Sequence, residues 1–214
     1  MQDIHIFENV EDAVGILKNY KKTIDKKDLA KEAIIKSSIQ SNIVRGFHKL
    51  NRPPSSIYRE WANKNIDEII AVLNSITAKE DFDAHLFEWI DDFIDYWNSQ
   101  INDSNKRIIF GQASKIVNVL IKTLNESTFL SNENVVPFLN VPFDEFSLKP
   151  IKNVINKLTE VKYRINIPTN PTMSYINSPD LYRIIQNAVF ELCKKASIVP
   201  ILYDYWCWNE KHDI

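Results

Sequence analysis

FDAHLFEWIDDFIDYWNSQI, residues 82–101, decides the architecture. Phe82, Leu86, Trp89, Ile90, Phe93, Trp97 and Ile101 recur three or four positions apart, so a helix gathers them into one long apolar stripe. Asp81, Asp83, Glu88, Asp91, Asp92 and Asp95 fill the opposite face. After Asn102-Asp103-Ser104 the same period returns, with Ile109, Ala113, Ile116, Val117, Leu120 and Leu124 facing inward. So short a connection between two long amphipathic segments predicts an antiparallel helical hairpin.

Toward the N-terminus, Asn9 is placed to cap a helix carrying Val10, Ala13, Val14, Leu17 and Tyr20. Asp28 is placed to cap a second, with the stripe Leu29, Ile35, Ile39, Ile43, Phe47 and Leu50. Arg52-Pro53-Pro54-Ser55 breaks that pattern. A short helix through Tyr58 and Trp61 is expected next, then another capped by Asn65 and carrying Ile66, Ile69, Ile70, Leu73 and Ile76. Toward the C-terminus, Pro137 and Pro142 punctuate a loop, and Pro150 is read as the first turn of a helix through Leu158. Val161, Tyr163, Ile165 and Ile167 alternate with polar residues, the period of a strand. Ser178-Pro179-Asp180 combines a capping hydroxyl, an N1 proline and a first-turn acid, so it opens a helix. Ile201–Trp208 is dense in aromatics and is expected to dock on the core.

These elements predict a mainly α fold: a single-domain, irregular orthogonal bundle of about eight or nine helices. At most one short strand is expected, near 161–167. The domain is read as 1–214, with an N-terminal helical subdomain 1–77 packed on 78–214 as an alternative division. Eleven Phe, eight Tyr and five Trp supply its core, each burying roughly 150–250 Å². Only three glycines occur in 214 residues. Hairpin turns, dinucleotide-binding turns and phosphate-cradling loops all draw on glycine, so its scarcity argues against each of them. The net charge of −2 provides no global attraction to nucleic acid or anionic membranes. No window approaches the ~18–20 apolar residues of a membrane span, and the first twenty residues lack the basic start and apolar run of a secretion signal. Cys193 and Cys207 sit in apolar sequence and are expected as buried thiols. A cytoplasmic location follows as the expectation.

Signatures for phosphate loops, nucleophile elbows and zinc-binding helices are absent. His5, His48, His85 and His212 are widely separated, and the acids from Glu88 to Asp95 are adequately explained as a solvated face, so no metal is expected. The segment FGQASKIVN, residues 110–118, is more unusual. Gly111, Lys115, Asn118 and Lys122 recur at +4, +3 and +4, placing them on one helix face as candidate ligand-binding residues. A glycine within a helix costs about 1 kcal/mol against alanine, so a close neighbour, helix or ligand, would explain it. Lys106 and Arg107 add charge one turn earlier. Such a basic strip would position a phosphate backbone without reading its sequence. A further cationic region, Lys18 to Lys31, suits helix C-termini or an anionic partner.

Phe110, Gly111, Ala113, Lys115, Pro142, Asp144, Asp204 and Trp208 form an ordered set: F-G-x-A-x-K, P-x-D, then D-x-x-x-W. It resembles a pattern in uncharacterised bacterial all-helical proteins and covers roughly the C-terminal half of the chain. The lysine helix followed by Pro-x-Asp also looks like the helix-hairpin-helix DNA glycosylases. That likeness implies Lys115 as a nucleophile on the sugar carbon and Asp144 as its electrostatic partner. Here Ser104-Asn105-Lys106-Arg107 stands where that family carries a glycine-rich hairpin.

Taken together, the residues are read as a soluble, non-enzymatic binding or regulatory module with a protein partner, no cofactor and no membrane. Two alternatives belong to other classes. One is a nucleic-acid-binding or processing protein using the Lys115 face and Asp144. The other is a small-molecule enzyme whose catalytic groups converge only in three dimensions.

Overall fold

The computed structural model describes residues 4–39, 47, 50, 52–160 and 163–212. The protein is mainly α, with helices α1 (Val10–Asn19), α2 (Lys31–Ser38), α3 (Pro54–Ser75), α4 (Lys79–Ser99), α5 (Phe110–Asn125), α6 (Glu145–Leu148), α7 (Ile155–Leu158), α8 (Pro179–Ala196) and α9 (Pro200–His212). None of the described helices is long and apolar enough to cross a membrane. The chain divides into two compact units, a central one of Ile24–Phe138 and a terminal one of Met1–Thr23 with Leu139–Ile214. Position 77, the alternative subdomain boundary, falls inside the central unit, between α3 and α4.

In the central unit α4 packs on α5 and α3, while α2 packs on α3 and α5. The decisive stripe behaves as its spacing demands: Phe82, Leu86, Trp89, Ile90, Phe93 and Trp97 are all buried. Phe93 is a hub of edge-on and tilted rings. Its centroid lies 4.8 Å from Trp61, 5.8 Å from Trp97 and 6.2 Å from Tyr58. Each such pair adds about 0.5–1.5 kcal/mol beyond the area it buries. α5 has no exposed residue among those described, as expected of a helix enclosed on all sides.

Two expectations for this unit are corrected. Residues 54–75 form one 22-residue helix rather than two. Asn65 does not cap; its Nδ2 donates to the Trp61 carbonyl one turn back at 3.0 Å, so the ladder passes through it. α2 is shorter than its stripe suggests. It starts after Ala30, which gives no side-chain cap, so Asp28 is not the cap residue. It stops at Ser38, where Ser37 and Ser38 turn their hydroxyls back onto the Ile34 and Ile35 carbonyls and Ile39 is extended. The remainder of that predicted helix falls mostly outside the described residues.

In the terminal unit α8 packs on α1, α7 and α9, and α6 packs on α9. Asn9 caps α1 by accepting the Asp12 N–H at 2.9 Å, and Ser178 caps α8 by accepting the Leu181 N–H at 3.2 Å. α8 ends at Ser197 in the left-handed conformation (φ 57°, ψ 41°). There the Ile198 and Ser197 N–H groups donate to the Cys193 and Lys194 carbonyls, closing the helix as a glycine normally would. Phe7 stacks on Trp206 of α9, centroids 4.9 Å apart, which anchors the aromatic C-terminal helix as expected. Pro150 does not open a helix through Leu158. It lies in a run of turns, its carbonyl accepts the Phe7 N–H at 3.0 Å, and only Ile155–Leu158 is helical.

The predicted strand does not form among the described residues; positions 161 and 162 lie outside them. Ile165 and Ile167 are buried and Arg164 and Asn166 exposed, so the alternation is real, but no second strand pairs with it. Asn156 takes the partner's place. Its amide accepts the Ile165 N–H at 2.8 Å and donates to the Ile165 carbonyl at 2.7 Å. Asn98 does the same for Ile108, at 2.9 and 3.4 Å. A side-chain carboxamide carries the same donor and acceptor as a peptide group, so it satisfies backbone that has no ladder.

Candidate functional site

The lysine strip of α5 is turned inward. Gly111 is buried, Lys115 is 6% exposed, Asn118 is 1% exposed and Lys122 is half-buried. The Asn118 Nδ2 donates to the Ser114 carbonyl at 2.7 Å, within its own helix. Gly111 occupies the first turn of α5 rather than its interior, so the helix-interior penalty that made it conspicuous does not apply in full. A phosphate backbone needs accessible cations, and three of these four positions are covered. Arg107 is exposed and Lys106 half-buried.

Asp144 is the N-cap of α6. One of its carboxylate oxygens accepts the Phe146 and Ser147 N–H groups at 2.9 and 3.2 Å, while the Ser147 hydroxyl accepts the Asp144 N–H at 2.8 Å. This reciprocal pair uses the carboxylate structurally. Tyr203 joins the same cluster, its hydroxyl donating to the Ser147 carbonyl at 2.6 Å. Complete burial pushes the Tyr203 phenol well above its ordinary range, so it remains a donor. Lys115 belongs to the central unit and Asp144 to the terminal one.

Both thiols are buried and free of disulfide. Burial drives Cys193 and Cys207 well above the usual thiol range, with Asp204 pushing Cys207 further in the same direction. Thiols held protonated are poor nucleophiles and poor metal ligands. On α4, Asp92 accepts from the Trp61 indole N–H at 2.6 Å, and Glu88 lies 3.0 Å from the His85 ring. No group of three potential metal ligands gathers among the described residues, and His48 lies outside them.

One feature with the shape of a site is a cleft in the terminal unit, of about 460 Å³. One wall is the outer face of α8: Asp180, Arg183, Ile184, Asn187, Ala188 and Glu191. Positions 180, 184, 187 and 191 advance by four, three and four, so they stack along one side of the helix. The opposite wall is Leu158 and Thr159 at the end of α7, with Glu160 and Tyr163 beyond. There the Tyr163 N–H donates to the Glu160 carbonyl at 2.9 Å. Tyr163 is 37% exposed, an unusual position for a large ring in this protein. Thr159 lines the same space, while its hydroxyl is turned away from solvent and has no hydrogen-bond partner among the described residues. Arg183 reaches Asp180 at 3.4 Å on the open side, where both side chains are mostly solvated.

The sequence signals for this cleft were present but pointed elsewhere. Spacing assigns Ile184 to the core stripe of α8, yet it is half-exposed. Alternation assigns Tyr163 to the buried side with Ile165 and Ile167, yet its ring stands toward solvent. No protein-family model matches this chain, and no curated protein or solved structure is similar to it. The two likenesses drawn from short motifs rest on those motifs alone.

Proposed function

We propose that this protein is a non-enzymatic binding module whose recognition site is the cleft between α7 and α8. The observation that carries the reading is the composition of that cleft. Leu158, Ile184 and Ala188 give an apolar floor, Tyr163 an accessible ring, and Glu160, Asp180, Arg183, Asn187 and Glu191 converging polar groups. Small-molecule sites have this make-up and commonly enclose about 300–1,000 Å³. The α8 wall rests on a long helix packed against the core, so that side of the site is formed before a ligand arrives.

Ligand-observed NMR of the full chain against a mixed small-molecule library tests this. Binders are expected that are displaced when Ile184→Trp fills the cleft, with circular dichroism showing the helices intact, and that are recovered chemically unchanged. Binders indifferent to Ile184→Trp would remove the site, and consumption of the ligand would replace the module with an enzyme.

A further inference from the structure

α1 packs on α8, and the residues that follow each helix meet to line another cleft of the terminal unit, of about 360 Å³. It shares no lining residue with the α7–α8 cleft. Lys21, Lys22 and Thr23 come from the segment after α1, and Ser197 from the end of α8. No carboxylate lines the space. Lys18 in the last turn of α1 and Lys194 and Lys195 in the last turn of α8 lead into the same walls. All five lysines are exposed, and none makes an ion pair among the described residues. The helix dipoles account for Lys18, Lys194 and Lys195. They do not account for Lys21 and Lys22, which stand beyond the end of α1. The Lys22 ammonium is positioned 4.4 Å from the centre of the Tyr205 ring, a contact that holds the cation without neutralising it. Asp204 acts through its charge on the Tyr20 phenol, but it is buried and lines no part of the cleft. The Thr23 and Ser197 hydroxyls make no hydrogen bond among the described residues.

We infer that this cleft holds a phosphate monoester with a small apolar body. Like charges collected in one concave place focus a positive potential and draw in an anion. A phosphate monoester brings close to two negative charges and three strong acceptor oxygens. Lys21 and Lys22 supply ammonium donors for those oxygens, and Thr23 and Ser197 supply hydroxyl donors from the two walls. Lys18, Lys194 and Lys195 strengthen the field without needing to touch the ligand. Tyr20, Ile198, Val199 and Leu202 give the apolar surface that the organic body would cover, removing it from water. A cationic ligand would meet only like charges here, and a neutral one would leave the two ammonium groups unanswered.

Backbone amide shifts of the full chain during addition of phenyl phosphate test the inference, with inorganic phosphate, phenol and benzoate alongside. Phosphate esters are withheld from the library screen above, so each cleft is tested by its own ligands. Saturable changes confined to residues 20–23 and 197–202 are expected for phenyl phosphate, weaker ones for inorganic phosphate, and none for phenol or benzoate at the same concentration. Affinity should rise as the ligand loses its second proton near about pH 6, and fall as salt rises. Lys21→Gln and Lys22→Gln should each weaken binding about tenfold, the scale of one charge-assisted hydrogen bond. Lys157→Gln, on α7, should leave it unchanged. All three positions are exposed, so the fold is preserved and circular dichroism serves as the check. Flotation with phosphatidic-acid vesicles but not phosphatidylcholine vesicles, lost in Lys21→Gln, would make a lipid headgroup the source of the phosphate. Phenyl phosphate binding without flotation would make it a free phosphorylated compound, and either result upholds the inference. No saturable binding, binding unchanged in both lysine variants, or shifts spread over lysines throughout the chain would overturn it. Capture of an oligonucleotide in the absence of phenyl phosphate binding would overturn it as well.

Discussion

Gln186, on the buried side of α8, holds both backbone groups of Val141: Oε1 accepts the Val141 N–H at 3.1 Å and Nε2 donates to the Val141 carbonyl at 2.7 Å. The contact is sealed from water and joins residues 45 apart in sequence. It fixes the start of the 141–144 segment against the helix whose other side forms the cleft. Gln186→Leu keeps the bulk but strands a buried donor and acceptor, so a loss of about 2–4 kcal/mol is expected in urea unfolding. Gln186→Glu separates the two bonds by pH. A protonated carboxyl can donate to the Val141 carbonyl, whereas a carboxylate cannot. Burial and that carbonyl both raise the folded-state pKa, so the variant should be most stable in acid and lose stability as pH rises through the raised value.

Ser197 holds a left-handed conformation at the end of α8 that costs a residue with a Cβ about 1 kcal/mol. Ser197→Gly should stabilise the protein by about 0.5–1 kcal/mol, and Ser197→Val should destabilise it by more than that. Thermal unfolding of the pair reads the difference. Equal melting temperatures for glycine and valine would contradict the assigned backbone geometry.

Asp144 separates a structural carboxylate from a catalytic one. As an N-cap it should lose about 1 kcal/mol on Asp144→Ala and only a few tenths on Asp144→Asn, because asparagine caps equally well. Chemical denaturation distinguishes the two. If the asparagine variant were as damaged as the alanine variant, the negative charge would have a role that the hydrogen bonds do not describe.

The buried thiols should be inert. Iodoacetamide at pH 8 is expected to leave Cys193 and Cys207 unlabelled in the folded protein, since burial raises both above the range in which thiolate forms. Denatured protein should take up label at both. Mass spectrometry showing rapid native labelling of either cysteine would mean that it reaches solvent.

Residues with strong periodicity were legible in the sequence. The Phe82–Trp97 stripe, the Asn9 cap and the Ser178-Pro179-Asp180 start each combine a local preference with a burial pattern, and both agree with the fold. The boundaries that went astray depend on contacts that spacing does not contain. Asn65 has the chemistry of a cap, but its amide bonds back along a continuous helix. The 163–167 alternation has the period of a strand, but Asn156 rather than a second strand meets it. Site residues were less legible still. Lys115 drew notice by its spacing with Gly111, although that spacing also describes an inward face. The cleft is assembled from α7, α8 and the residues Glu160 and Tyr163, whose sequences separately carry only a surface charge pattern and an apparent strand.

Where a small ligand binds decides the central claim. Backbone amide shifts of the full chain, followed by heteronuclear NMR during addition of a binder identified by the ligand-observed screen, report this residue by residue. The prediction is a saturable set of changes confined to Leu158–Glu160, Tyr163 and one face of α8 from Asp180 to Glu191, abolished in Ile184→Trp. Changes centred on α5 around Lys115, changes scattered over the acidic face of α4, or none at all would contradict it.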